Sequence, residues 1–575
     1  MRVQSSSQHP AEVQKLVAQV LGVPLHLVQA EVRRMGGAFG GKESQAAALA
    51  CMAAVFAVRN QRPVKYRMPR RDDMTQTGKR HDFWNQYRVG FDSDGVIHGV
   101  EMDLAGLCGH SADLSDGVVD RAMFHADNAY FYEAARISGY RCRTNTVSNT
   151  AFRGFGGPQG MVAAEAMLDD IARAVGADPL DIRKRNLYQA KRNTTPYGQT
   201  LEEEVLPQLV EQLEQTADYR ARRRQIIDFN AASAQIKKGL ALTPVKFGIS
   251  FTSKHLNQAG ALLHIYADGS IHISHGGTEM GQGLHTKIAQ IVARGFGVDL
   301  ERVRVAATAT DQVPNASPTA ASAGTDLNGM AALNAVHILK RRLLEYAAET
   351  YAVDIERISI RDDLCWIDER AVPFAELVKG AYMSRVSLSA TGFYRTPKIG
   401  YDRAAARGRP FLYFANGAAA AEVEVDIYTG EYRVTRVDIL HDVGDSLNPA
   451  IDLGQVEGGF VQGMGWLTSE ELLWNEQGRI LSDSPANYKI PTAGDVPEIF
   501  NVDFFDRPNN EETVYRAKAV GEPPLMLAIS VWCALRDACA SLADYRYNPP
   551  LGVPATPEQV YFCARAAREF SEATS

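Results

Sequence analysis

Six times this 575-residue chain carries a glycine-rich stretch beside a segment with helical patterning. The stretches are GGAFGGKE at 36–43, FRGFGGPQG at 152–160, HGGTEMGQGL at 275–284, SPTAASAG at 317–324, GQVEGGFVQGMG at 454–465 and AVGEPPL at 519–525. Glycine lets a backbone approach a ligand closely. A helix N-terminus offers unpaired N–H groups and partial positive charge to an anion. One such junction is commonplace. Six in one chain, with carboxylates at Glu43 and Glu522 among them, point to something large and anionic held by backbone N–H groups.

At 45% hydrophobic and 22% charged, the chain exceeds one typical domain and has material for substantial cores. A formal net charge of −7 gives no reason to expect nucleic acid or an anionic membrane surface as a partner. The longest apolar run, about 46–58, is too short to span a bilayer and reads as a buried helix. The start, MRVQSSSQHP, lacks an apolar signal region. Seven cysteines form no CxxC pair, so reduced thiols and a cytoplasmic location are expected.

Pro10 opens an amphipathic helix that Gly22 and Pro24 close, and a strand over about 26–34 feeds the first glycine loop. The chain is therefore expected to begin inside a fold. Hairpins are expected at Asp94-Gly95, Asp268-Gly269 and Thr429-Gly430, each between alternating apolar residues. Helical patterns cover about 44–58, 159–175, 281–296, 325–350 and 523–542, and the charge-rich stretch 216–238 reads as a linker. The fold class is α+β, with two domains, 1–235 and 236–575.

GGAFGGKE has the GxxxxGK spacing of a phosphate loop, but Glu43 stands where a hydroxyl should ligate magnesium. A carboxylate there repels phosphate, and a tight strand-to-helix turn is the plainer reading. In FRGFGGPQG, Arg153 lies between Phe152 and Phe155, which can be core rings or a platform for a planar ligand. In AVGEPPL, Glu522 precedes two prolines that suit a helix start, and it reads either as a first-turn acid or as a general base. His275, His285 and Glu279 do not match a zincin spacing.

Taken together, GGAFGGKE, DRAMFHADNAY, TNTVSNTAFRGFGGPQG, FTSKHLNQAGAL, HGGTEMGQGLHTK, NASPTAASAGTD, GQVEGGFVQGMG and KAVGEPPL resemble, in order, the molybdenum-cofactor subunit of the xanthine dehydrogenase family. Aldehyde oxidase is a relative of that family. The resemblance covers most of residues 1–550. It implies two molybdenum-cofactor-binding domains, the first incomplete at its N-terminus, because family members carry an upstream GQ-E-H-F-Y-L-E type motif whose glutamine approaches the metal. It also implies a molybdenum–molybdopterin cofactor gripped by backbone and amide groups, with metal sulfur ligands supplied by the pterin.

Residue by residue, the resemblance makes Glu522 the catalytic base and Glu43 and Arg121 the pair on the purine's polar edge. Phe155 and Phe251 match rings that confine a flat substrate, with Thr252 beside them. Phe39, Gly40, Arg153, Gln282, Ala320 and Ala321 match positions around the cofactor, and Phe39, Arg153 and Ala321 approach the metal through backbone, without side-chain ligation. Aldehyde oxidases lack the Glu43/Arg121 pair at matching positions, so the implied reaction is hydroxylation of hypoxanthine and xanthine to urate with water as oxygen source. The implied partners are a chain bearing 2Fe–2S clusters and FAD, a chain carrying the missing N-terminal segment, and a dimer of the full unit. Alternatives are a cofactor-free remnant or scaffold of the same family, and an aldehyde-oxidase-like hydroxylase of other N-heterocycles.

Overall fold

In the computed structural model, which describes residues 1–574, the local signals become elements. Pro10 starts the helix Pro10–Leu21, and Gly22 ends it at φ +66° with its N–H on the carbonyls of Ala18 and Gln19. The three hairpins form at the expected turns. They join Phe83–Phe91 to Ile97–Gly109, Gln258–Ile265 to Ile271–His275, and Tyr413–Asp426 to Tyr432–His441. Helices and strands mix without strict βαβ alternation, as α+β requires.

The central scaffold is the antiparallel pair Ile236–Ile249 and Tyr413–Asp426, in register over its whole length. Both strands are buried along most of that length. Tyr432–His441 and Ile499–Phe504 complete this sheet. The helix Ile529–Ala540 packs on it, with the Ala534 and Ala538 backbone against Gly239. The wider segment Pro523–Ala543 is long and apolar enough to cross a bilayer, with a mean hydropathy of 1.5, but 89% of it is buried inside this protein. A core helix reaches the same composition when every face meets protein.

On the other side, Leu240 and Leu242 of the scaffold join a core built on Ile97–Gly109 and the helix Gly157–Val175. That helix is fixed by Glu165 and Asp169, one turn apart, which take Arg183 at 2.6 and 2.7 Å. A third core packs the helices Leu284–Phe296 and Gly324–Tyr351 on the sheet containing Gln258–Ile265. A small sheet ties distant parts together, with Thr308–Ala309 pairing onto Gln29–Val32 beside Arg2–Gln4.

Two expectations need correction. The stretch 216–238 is no loose linker, since Tyr219–Ala232 is helical. Its Arg222 and Arg223 are buried, Arg222 on Glu422 and Asp438 and Arg223 on Asp537 and Asp178. The charge run that suggested solvent exposure is a set of internal ion pairs whose acids lie far along the chain. The fifth glycine stretch does not lead into a helix but lies within one, Pro449–Thr468. Interior helical glycine costs about 1 kcal/mol relative to alanine. Close approach supplies the reason, because a Cβ at Gly463 would stand 2.0 Å from the Leu525 carbonyl oxygen.

Candidate active site

The glycine turns and the helix Pro449–Thr468 enclose one cavity of about 970 Å³. All twelve residues singled out in the sequence line it: Phe39, Gly40, Glu43, Arg121, Arg153, Phe155, Phe251, Thr252, Gln282, Ala320, Ala321 and Glu522. They come from both halves of the chain, and side-chain clamps hold the turns together.

Glu522 caps the short helix Pro523–Leu527 with its side chain turned away from that helix. Its Oε1 accepts from the Gly154 N–H at 3.1 Å. Its Oε2 accepts from the Ser322 hydroxyl at 2.8 Å, and the same hydroxyl oxygen accepts from the Glu522 N–H at 2.8 Å. Ser322 thus fixes both backbone and carboxylate with one oxygen, a use of donor and acceptor that only a hydroxyl allows. Ser322 and Ala321 both sit at φ +55°, a left-handed conformation uncommon outside glycine. Such strain costs on the order of 1–3 kcal/mol and clusters at functional sites.

Arg153 ties the second glycine turn to the last. Its Nε donates to the Gly521 carbonyl at 2.6 Å, and its Nη atoms donate to Gln462 Oε1 and the Gln455 carbonyl. No acid pairs with it among the described residues, so it is not the salt-bridge residue of the plain structural reading. Burial pulls its guanidinium down to about 10, which leaves it charged at neutral pH.

Arg121, on the helix Ser115–Phe124, is 1% exposed. Its guanidinium lies 4.5 Å from the Phe247 ring centroid and donates to the carbonyls of Ser250 and Gly248. Its Nε keeps an unpartnered donor. Burial lowers its pKa while the Glu522 charge opposes that shift. The Phe155 ring rests on Gly117, where a Cβ would meet it at 2.8 Å. Phe251 is clamped by Asn257, which accepts from the Phe251 N–H and donates to its carbonyl.

Glu43 forms no ion pair with Arg121 among the described residues. Burial first, then the Glu522 charge, pushes its carboxyl up to about 8. At neutral pH Glu43 is therefore a protonated donor rather than an anion. A buried carboxyl with a raised pKa stabilises the fold fully below its unfolded value and loses that contribution as pH rises through the folded one. Glu43→Gln is accordingly expected to flatten the pH dependence of stability between the ordinary carboxylate range and about 8. The slope removed is about 1.4 kcal/mol per pH unit, measurable by denaturant unfolding.

The phosphate-loop reading of 36–43 fails on Lys42, whose ammonium turns back onto the Gly37 carbonyl at 2.9 Å. Glu279 likewise serves its own loop, accepting from the N–H groups of Gly281, Gly283 and His285. Gln282 closes the same turn through Met280 N–H and the Thr278 carbonyl.

Molybdopterin cofactor-binding domain families match residues 1–187 and 212–497. The chain is 44% identical over 558 residues to a xanthine dehydrogenase/oxidase of Gallus gallus and 43% identical over 566 residues to a xanthine dehydrogenase of Oryza sativa subsp. japonica. These alignments cover 96% and 97% of this chain. This chain belongs to the xanthine dehydrogenase family and carries its two molybdopterin-binding domains. It spans about 40% of the length of these relatives. Quinoline 2-oxidoreductase from Pseudomonas putida 86 shares the fold at TM-score 0.86 and 25% identity, over 99% of this chain and 72% of that one. The aldehyde oxidoreductase from Desulfovibrio gigas does so at TM-score 0.83 and 24% identity, over 98% of this chain and 58% of that one.

The cavity fits the family's cofactor on its own chemistry. Gly36, Gly281, Gly454 and Gly458 line it, and a Cβ at any of them would meet no protein atom within 4 Å. The open side of these glycines is space for a ligand. The starts of the helices Leu284–Phe296 and Gly324–Tyr351 also line the cavity, as do Lys287 and Asp452, which pair with each other. Among the described residues no group of three or more His, Cys, Asp or Glu could hold a metal.

Gln8 belongs to no motif singled out in the sequence, yet it organises this wall. Its Oε1 accepts from the Gly40 N–H at 2.9 Å and its Nε2 donates to the Thr319 carbonyl at 2.9 Å. It thereby staples the first glycine loop to the fourth. Ser322 and Asp326 lie inside the quoted string NASPTAASAGTD, yet the sequence assigned neither a role. Asp326 accepts from the Tyr413 hydroxyl at 2.7 Å, that hydroxyl accepts from the Ala519 N–H, and burial pushes the carboxyl up to about 7. A lone polar residue in a serine- or threonine-rich stretch carries no spacing signal that could have revealed these roles.

Proposed function

We propose that this chain is the catalytic, molybdenum-binding portion of a xanthine-dehydrogenase-type hydroxylase acting on hypoxanthine and xanthine, with water as the oxygen source. The observation that carries this reading is one wall on which a clamped carboxylate, Glu522, shares a cavity with Glu43, Arg121 and the rings of Phe155 and Phe251. When bound, the molybdenum–molybdopterin group supplies the oxygen-transfer and electron-accepting chemistry. Phe39, Gly40, Ala320, Ala321 and the Gln282 turn would hold it through backbone, beside Arg153.

The chain's own residues do the rest. Phe155 and Phe251 confine a flat heterocycle, and apolar ring contacts stabilise that pose by about 0.5–1.5 kcal/mol beyond burial. Protonated Glu43 donates to a ring nitrogen or oxygen. Arg121 stabilises negative charge that develops on the ring, because charge-assisted hydrogen bonds are strongest in a dry site. Glu522 accepts the proton of the attacking, water-derived oxygen. Iron–sulfur and FAD groups on partner polypeptide would supply the onward electron-accepting chemistry.

The test is xanthine turnover by the assembled, molybdenum-loaded protein in oxygen-labelled water. Labelled urate is expected. A loaded protein that turns over aldehydes but no purine would overturn the substrate assignment.

Ser322 supplies a further check on the base. Removing one charge-assisted hydrogen bond of about 1.5–3 kcal/mol should lower kcat by about 10–100-fold in Ser322→Ala, with KM little changed. Ser322→Gly relieves the left-handed strain but also lacks the hydroxyl, so it should lose as much activity. Full activity in Ser322→Gly would show that the hydroxyl does not act through Glu522.

A further inference from the structure

The segment that ends the helix Ser115–Phe124 replaces a strand with side chains. Ile236–Ile249 lies at the end of its sheet, so its outer edge pairs with no strand among the described residues. Along such an edge the polar groups of alternate residues face outward. Asn128 donates to the Pro244 carbonyl at 2.9 Å and accepts from the Lys246 N–H at 3.3 Å. His125 accepts from the Gly248 N–H at 3.0 Å, and Arg121 donates to the carbonyls of Gly248 and Ser250. Asp127 adds an ion pair to the Lys246 ammonium at 3.1 Å. His125, Asp127, Asn128 and Lys246 are all buried. Buried backbone groups need partners, and one short stretch of chain, 121–128, supplies them here.

Of these clamps, His125 alone shares its strand residue with the arginine of the cavity. Its Nδ1 lies 2.9 Å from the Arg121 carbonyl oxygen. A carbonyl only accepts, so Nδ1 carries the proton and Nε2 offers its lone pair to the Gly248 N–H. One neutral imidazole therefore ties the Arg121 backbone to Gly248, while the Arg121 side chain takes the Gly248 carbonyl. Protonating the ring would set two N–H donors against each other. Burial, then the charges of Arg121 and Lys246, holds the imidazole well below the usual histidine range. The rings of Phe247 and Phe411 pack on both groups, with centroids 4.7 and 5.3 Å from the imidazole and 4.5 and 5.2 Å from the guanidinium. A Cβ on Gly248 would stand 2.3 Å from the Phe411 ring, so this packing needs glycine there. Phe251 and Thr252 follow on the same strand exit and line the cavity with Arg121, whereas His125 does not line it.

We propose that His125 is a positioning residue for purine recognition. It holds the Arg121 guanidinium in register with Phe251 and Thr252, and so sets the preference for a flat substrate with a polar edge. The inference rests on the purine reading of this site given above. Its effect passes through Arg121, since the imidazole stands behind the cavity wall. Asn128 grips the same strand farther from Phe251, at Pro244 and Lys246, and contributes stability without substrate choice.

The experiment uses the assembled, molybdenum-loaded protein and reads the ratio of kcat/KM for xanthine to that for benzaldehyde. His125→Asn keeps a donor near the Nδ1 position and removes the acceptor for Gly248. It should lower the ratio about tenfold, the size of one lost hydrogen bond. His125→Gln reaches the Gly248 N–H again and should restore the ratio to within about threefold. In an Arg121→Met background, His125→Asn should change the ratio no further, because two residues acting as one unit are not additive. Asn128→Ser should lower the melting temperature and leave the ratio unchanged. If His125→Asn does not fold, His125→Phe keeps the ring packing and carries the same expectation. The Arg121→Met single variant checks the purine reading by itself, and an unchanged ratio there would remove that reading and this inference together. Where Arg121→Met does lower the ratio, an unchanged ratio in the His125 variants would overturn the positioning role alone. So would a full further drop in the double variant, or an equal drop in Asn128→Ser, which would mark general loosening of the strand.

Discussion

Glu522→Gln is expected to lower kcat for xanthine by about 10²–10⁴-fold in the assembled, molybdenum-loaded protein, the usual contribution of a positioned base. The substitution keeps the side chain's size, so the Gly154 N–H still finds an oxygen acceptor. The Ser322 hydroxyl loses its anionic acceptor and can still accept from the residue-522 N–H. Molybdenum content and melting temperature should therefore stay at the wild-type level while turnover falls. KM should change far less than kcat, since the proton is taken only as the reaction proceeds. Full turnover in this variant would remove Glu522 from the mechanism, whatever its place in the cavity.

Arg121→Ala is expected to separate substrates. Purine kcat/KM should fall by about 10²–10³-fold, the loss typical of a removed donor to developing charge. Simple aldehydes, which present no matching polar edge, should lose far less. A pocket built to hydrogen-bond a substrate discriminates strongly against ligands that leave its polar groups unpaired, so removing the group should relax that preference. Arg121 also fills space against Phe247 and Phe411, and its truncation leaves a cavity. Arg121→Met keeps most of that volume without the charge, and it should reproduce the substrate split with less loss of stability. Equal losses on purine and aldehyde in both variants would show packing, and would sink the specificity role.

Much of the fold was legible because its signals are local. Pro10 and Gly22 mark one helix by rules that act within a turn, and three Xaa-Gly pairs mark hairpins by demanding positive φ. The errors arose where tertiary contacts decide. Arg222 and Arg223 look solvated until Glu422, Asp438 and Asp537 arrive from 200 and more residues away. GQVEGGFVQGMG reads as a turn beside a helix until two of its glycines, Gly459 and Gly463, are seen inside a helix and close against Pro524 and Leu525. The site was legible as a set of positions, and all twelve meet at one cavity. Its mechanics were not. Gln8, Ser322 and Tyr413 act by bridging segments, and nothing in their immediate neighbours encodes the partner. Glu43 shows the same limit in electrostatics, since its charge state follows from burial and from Glu522, which lies 479 positions later.

The most direct measurement is the molybdenum content of this chain after isolation of the assembled protein from a host that makes the cofactor. The account predicts stoichiometric molybdenum, retained in Glu522→Gln and lost when Gly454 and Gly458, which open onto the cavity, are replaced by bulky residues. A folded, fully assembled chain that contains no molybdenum, or metal that survives filling of the cavity, would contradict it.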